Sequence, residues 1–102
     1  MPANQNDQRL VFTVTWQVRE GEIRKAEEII ARFVPEARQE AGLEMLMVHQ
    51  SASNPAEFLF YEIFRDRAAF EAHQETPHFR TLIMEQALPL LAKRERIEYR
   101  IL

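Results

Sequence analysis

The chain has 102 residues, 46% of them hydrophobic and 28% charged, with a net charge of −3 and no cysteine. That is enough for one domain, which buries roughly 65% of its unfolded surface. The mixed, slightly acidic charge argues against a nucleic-acid partner, and zero cysteine excludes a disulfide framework or thiolate metal site and fits a reducing, cytoplasmic compartment.

Met1 to Gln8 is polar and is expected to fray, leaving 9–102 as the single domain. The opening MPANQNDQR lacks the apolar run of a signal peptide. No stretch approaches the ~20 apolar residues of a membrane span. From Arg9 to Arg19, Leu10, Phe12, Val14, Trp16 and Val18 alternate with Val11, Thr13, Thr15 and Gln17, the period-two pattern of a strand. The second face is Val/Thr rather than charged, so it too is expected to be covered. After Glu20-Gly21, the stripe Ile23, Ala26, Ile29, Ile30, Phe33, Val34, Ala37 predicts an amphipathic helix to about Ala41. Pro35 predicts a kink or break in it, and Gly42 stands where a left-handed C-terminal cap belongs.

Leu43 to Gln50 reads as a second strand, with Leu43, Met45, Met47 and His49 on one face; the Met45/Met47 pair suits core or interface packing. A Ser-Asn-Pro turn signal leads to a third strand, Phe58 to Phe64, and the short link makes the two an antiparallel hairpin. Asp66 is a suitable N-cap for a helix ending near Glu75 that turns Ala69, Phe70 and His73 to one side. Thr76-Pro77 then starts another helix, burying Phe79, Leu82, Ile83, Ala87 and Leu90, with Pro89 ending or bending it. Arg96 to Leu102 closes the chain as a strand, Ile97, Tyr99 and Ile101 alternating with Arg96, Glu98 and Arg100. The order β-α-β-β-α-α-β is that of an α+β ferredoxin-like sandwich. Both helices then cover one sheet face. The apolar second face calls for another copy of the chain, packed sheet against sheet into a dimeric α/β barrel.

Two ionisable groups sit among apolar residues. Glu62 lies in the strand Phe58 to Phe64 and His73 on the apolar helix stripe; both are costly to bury unpaired. His73 suits a general base or proton shuttle, with Glu62 as the carboxylate that orients it. Equally, His73 fits a packed, satisfied histidine, and Glu62 a carboxylate satisfied by Tyr99, Arg65 or Arg67. His78 and Phe79 fall at a helix start whose free N–H groups suit an oxyanion or phosphate, or simply a capped helix. Trp16 is either core filling or a wall of a ligand pocket, as is Phe60. With His49, His73 and His78 the only histidines and no His-x-x-x-His spacing, no metal site is expected. Two glycines cannot build a phosphate loop, and no Gly-x-Ser-x-Gly elbow or cysteine nucleophile occurs.

The strand ending Phe-x-x-Tyr-Glu-x-Phe, the block Asp-Arg-Ala-Ala-Phe-Glu-Ala-His, and Thr-Pro-His-Phe together resemble the antibiotic biosynthesis monooxygenase family. The likeness runs from about Leu10 to Leu102 and is sharpest at Glu62 and at Ala72 to His78. That block looks most like the quinol monooxygenase and autoinducer-2 phosphate isomerase branches. The resemblance implies a dimeric ferredoxin-like fold, a pocket between sheet and helices, and oxygenases that need no flavin, haem or metal. The haem-degrading branch is not implied: no histidine follows His78, and Arg9 to Arg19 holds no asparagine.

The expected function is therefore a cofactor-independent monooxygenase oxidising a quinol or polyketide-like phenol. His73 with Glu62 would be catalytic, while His78, Phe79, Trp16 and Phe60 would bind the substrate. The alternatives are an isomerase of a small phosphorylated hydroxy-ketone and a non-catalytic dimeric binding module.

Overall fold

In the computed structural model, which describes residues 7–102, the elements are β1 (Leu10–Val18), α1 (Ile23–Ala37), β2 (Leu43–Gln50), β3 (Glu57–Phe64), α2 (Arg67–Gln74), a π-helix (Phe79–Ala87), a 3-10 turn (Leu88–Leu90) and β4 (Leu91–Tyr99). Residues 1–6 of the expected frayed tail lie outside the described residues. The four strands pair antiparallel in the order β2-β3-β1-β4, which is the ferredoxin-like arrangement.

Alternation decides which side chains meet the helices. Leu10, Phe12, Val14, Trp16 and Val18 of β1 are buried, as are Phe58, Phe60, Glu62 and Phe64 of β3. They pack with Ala26, Ile29, Phe33 and Ala37 of α1 and with Leu82, Ile83 and Ala87 of the π-helix. Phe12 stands opposite Glu62, Val14 opposite Phe60 and Trp16 opposite Phe58. On the other face Met45, Met47, Leu59, Ile97 and Tyr99 are each 38–47% exposed. That face carries apolar surface to solvent. No helix among the described residues is long and apolar enough to cross a membrane.

Several local expectations are corrected. Helix α1 ends at Ala37 rather than near Ala41, and Pro35 sits inside it without breaking it. Pro35 removes one amide donor to the preceding turn, and the helix ends two residues beyond it. The left-handed glycine is Gly21, at φ 84°, not Gly42. In β2 a register shift between Leu43 and Met45 puts the buried Leu43 and Leu46 on the helix side. Leu43 therefore does not share a face with Met45, Met47 and His49, because a bulge inserts one extra residue. Strand β4 begins at Leu91, not Arg96, and residues 100–102 lie beyond it.

Candidate active site

Helix α2 is started by Asp66, whose extended backbone leaves its carboxylate accepting from the amide of Ala69 at 2.8 Å. The stripe Ala69, Phe70, His73 is buried as the spacing predicts. Gly42 sets how closely this helix seats. A Cβ there would collide with Cβ of Ala69 and lie 3.3 Å from its Cα, so Gly42 permits a close approach rather than a left-handed turn. The amide of Arg65 donates to the Gly42 carbonyl at 2.8 Å and clamps the same junction. His73 is one helical turn beyond Ala69, and Glu40 is two residues before Gly42. Docking the helix here brings them together.

Thr76 joins α2 to the next helix. Its hydroxyl donates to the His73 carbonyl at 2.8 Å and accepts from the amide of Phe79 at 3.2 Å. Pro77 has no N–H to satisfy, and the amide of Arg80 donates to the Thr76 carbonyl at 3.1 Å. The helix start expected to hold an oxyanion thus has two of its amides occupied by Thr76. His78, five residues after His73, is turned back toward the same carboxylate.

That carboxylate is Glu40. Nδ1 of His73 lies 2.9 Å and 3.0 Å from its two oxygens, and Nε2 of His78 lies 2.6 Å from Oε2. An ionised carboxylate only accepts hydrogen bonds, so each ring nitrogen donates to it. The His73 proton is then on Nδ1, and Nε2 carries the lone pair. His73 is 3% exposed and is ringed by Phe64 and Phe79 at 5.0 Å and Phe33 at 6.0 Å, centroid to centroid. Burial lowers its pKa from the ordinary imidazole value, with Glu40 opposing that shift. The shift favours the neutral ring, the form a base needs.

Glu62 lines the same cavity as His73 but makes no hydrogen bond to it. The expectation that Glu62 orients the imidazole is corrected: Glu40 does so. The three groups suggested to satisfy Glu62 are elsewhere as well. Tyr99 belongs to the opposite face, Arg65 lies 3.6 Å from Asp66, and Arg67 is 3.3 Å from Glu98. Burial pushes the Glu62 carboxyl up to about 7, Arg94 and Arg96 pull it down, and Glu40 adds to the rise.

The inner cavity is small, about 30 Å³. A water needs about 10–15 Å³, so this space suits a water or a dioxygen molecule and not an aromatic ring. Trp16 and Phe60 line it with their ring centroids 4.5 Å apart. They wall the small chamber. A hollow of about 570 Å³ adjoins it, sharing Gln74, Phe79, Ile83, Arg94 and Arg96. Phe79 therefore borders both spaces, whereas His78 borders neither and is held by Glu40. His49 projects from β2 on the exposed face, away from the site.

Glu40, Arg94 and Arg96 escaped the sequence reading. Glu40 lies on the connection beyond α1, where no periodicity applies; its one signal is a carboxylate two residues before a constrained glycine. The two arginines are betrayed only by their spacing of two, which puts both on one face of a strand. Donor atoms of Glu40, His73 and His78 all lie within 4.8 Å of one another, although the sequence spacing argued against a metal centre. Such a two-His, one-carboxylate set suits a divalent cation in principle. Here its atoms are joined by hydrogen bonds whose protons a cation would have to displace.

Fold and site together define a small α+β domain with a carboxylate-oriented imidazole beside a chamber under the sheet. The family model described as antibiotic biosynthesis monooxygenase matches residues 9–84, and the chain belongs to that family. The matched span contains Glu40, Glu62, His73 and His78 and stops short of Arg94 and Arg96. The chain is 36% identical over 77 residues to an uncharacterized protein of Synechocystis sp., sll1783, covering 72% of this chain and 52% of that protein. It thus spans about half the length of this curated relative. The crystal structure of PA3566 from Pseudomonas aeruginosa superposes with a TM-score of 0.84 at 28% identity, covering 97% of this chain and 99% of that one. SO0527 from Shewanella oneidensis shares the fold, with a TM-score of 0.87 at 23% identity over 98% and 95% of the two chains.

Proposed function

We propose that this protein is a monooxygenase that oxidises a quinol or aromatic phenol with dioxygen and needs no bound cofactor. The observation that carries the reading is the His73–Glu40 contact. It leaves the second ring nitrogen of a buried, neutral imidazole as the base beside a dioxygen-sized chamber. Family membership supports oxygenase chemistry.

The phenol lies in the outer hollow with its hydroxyl toward the inner chamber. His73 removes the phenolic proton through Nε2, and Glu40 stabilises the resulting imidazolium. The phenolate is the electron donor to dioxygen. One oxygen atom enters the ring and the other leaves as water. All four electrons come from the substrate, which becomes the quinone, so no separate reductant is required. Glu62, with its carboxyl near 7, supplies a proton to the reduced oxygen and receives one back from the imidazolium through water.

We further propose that the working unit is a cytoplasmic homodimer built by covering Met45, Met47, Leu59, Ile97 and Tyr99 with a second copy, because exposed apolar patches of this kind mark interfaces. The test of the activity is oxygen uptake over a panel of quinols and hydroxylated polycyclic phenols, with His73→Ala alongside. Uptake that depends on His73 supports the proposal. Silence across the panel, or equal rates in the variant, refutes it.

A further inference from the structure

The sheet face under the helices should be apolar, yet β4 places two arginines there. Arg94 stands opposite Trp16 and Arg96 opposite Val14. Both border the inner chamber and the outer hollow. The Arg96 guanidinium lies 5.3 Å and 5.1 Å from the ring centroids of Phe12 and Phe70, which hold it by cation–π attraction.

Neither arginine has an acidic partner within salt-bridge distance among the described residues, and each nearby carboxylate is accounted for. Glu98 is taken by Arg67 at 3.3 Å. Glu95 faces the other side of the sheet, opposite Thr15. Glu62, two strands away on β3, lines the same chamber and feels the charge of both arginines, but it forms no ion pair with either. Glu85 lines the outer hollow, as does Arg80, and forms no ion pair with either Arg94 or Arg96. Two like charges side by side are unfavourable; burial and Arg96 lower the pKa of Arg94, and Glu62 opposes that shift. A third donor is idle in the same region: the buried indole N–H of Trp16 has no acceptor. Apart from Gln74, the rest of the wall is apolar, with Phe79, Ile83, Met84 and Leu88.

We propose that Arg94 and Arg96 form a docking subsite for an anionic oxygen group, a carboxylate or a phosphate, borne by a small molecule whose apolar body fills the outer hollow. This deepens the proposed function, since it rests on the same cavity holding the substrate. The guanidinium fork matches both anions in geometry and charge. The anion anchors one end of the molecule at the mouth and directs the other toward Glu62 and His73. The subsite lies beyond the span matched by the family model and selects what this chain accepts, while its charge also pulls on the Glu62 carboxyl.

Trp16 is the only tryptophan and lines the chamber beside Arg94, so its fluorescence reports binding with no turnover. The full chain is titrated with benzoate, with inorganic phosphate and with neutral benzyl alcohol, and again as Arg94→Gln, Arg96→Gln and Arg96→Lys. At least one anion is expected to give a saturable change, weakened by salt. Arg94→Gln and Arg96→Gln should each weaken it about tenfold or more, as loss of a charged hydrogen bond does, and benzyl alcohol should bind more weakly by a similar factor. Arg96→Lys, which keeps the charge above Phe12 and Phe70, covers the case in which Arg96→Gln fails to fold. Tighter binding of phosphate assigns the subsite to a phosphoryl group, and tighter binding of benzoate to a carboxylate. No saturable response to either anion, equal affinity for benzyl alcohol, or unchanged affinity in the glutamine variants overturns the proposal. Inactivity toward every quinol would sink the oxygenase reading and leave this result where it stands.

Discussion

A carboxylate oxygen of Glu40 lies 2.9 Å from Nδ1 of His73, although 33 positions separate them in the chain. The pair is assembled by the docking of α2 against the link that precedes β2, and it fixes which imidazole nitrogen is free to take a proton. Replacing Glu40 by Gln keeps the shape but removes the charge that opposes burial at His73. The His73 pKa is expected to fall further below its ordinary value, as read by NMR titration of the ring, and turnover should drop by roughly 10²-fold or more. A His73 pKa that stays put or rises in this variant would show that Glu40 is not its electrostatic partner.

His73→Ala is expected to lower kcat by about 10²–10⁴-fold, the usual contribution of a positioned base. The circular dichroism spectrum should be retained, since Phe33, Phe64 and Phe79 still pack around the space. Steady-state oxygen uptake and thermal melts on the same preparation separate the two effects.

The two glycines should respond differently to alanine. Gly42→Ala forces its new Cβ against Ala69 and should cost about 1–3 kcal/mol through overpacking, while pushing α2 away from Glu40 and slowing turnover. Gly21→Ala meets no atom within 4 Å but must adopt φ 84°, which should cost about 1 kcal/mol and leave activity intact. Urea unfolding beside kinetics checks both; equal behaviour would refute the close-approach role of Gly42.

Glu62 makes stability depend on pH. Its folded pKa, about 7, is raised above its ordinary 4.5, so the folded state binds more protons than the unfolded chain between those values. The stabilisation is fully present below pH 4.5 and is lost as pH rises through 7. Glu62→Gln should flatten this slope and leave the variant more stable than the parent above pH 7, by about 1–3 kcal/mol. Denaturation at pH 5 and pH 8 measures the difference. A parent protein whose Glu62-dependent stability increases over that interval would contradict a carboxyl whose burial outweighs the pull of Arg94 and Arg96.

Covering the open sheet face should be sensitive to charge. Leu59→Glu, in the middle strand pair of that face, is expected to convert a dimer to a monomer in sedimentation experiments, while the fold persists because Leu59 lies outside the core. A parent chain that sediments as a monomer at micromolar concentration would refute the dimer.

The fold was legible wherever one face is buried. Phe12, Val14 and Trp16, or Phe58 and Phe60, could alternate only one way, and Thr76-Pro77 could only open a helix. Legibility failed where packing overrides local pattern. The bulge between Leu43 and Met45 shifts the β2 face with no glycine or proline inside it to announce it. The run Lys93-Arg94-Glu95-Arg96 is charged on both faces and hides the start of β4. The turn after Leu82 is π-helical, with the amide of Leu88 reaching the carbonyl of Ile83, a winding that apolar spacing does not distinguish from an α-helix. For the site, Glu62 and His73 were visible as ionisable groups among apolar neighbours. Glu40 was not, because its importance comes from the approach of a distant helix.

The hydroxyl of Thr76 grips both the last carbonyl of His73's turn and the amide of Phe79, so α2 and the π-helix share a common hinge pin at their proton-handling end. Variation is then cheapest at the opposite end, where Met84, Leu88 and the tips of Arg94 and Arg96 meet solvent. Substitutions at that rim would reshape what the hollow accepts while leaving the Glu40, His73 and His78 contacts in place.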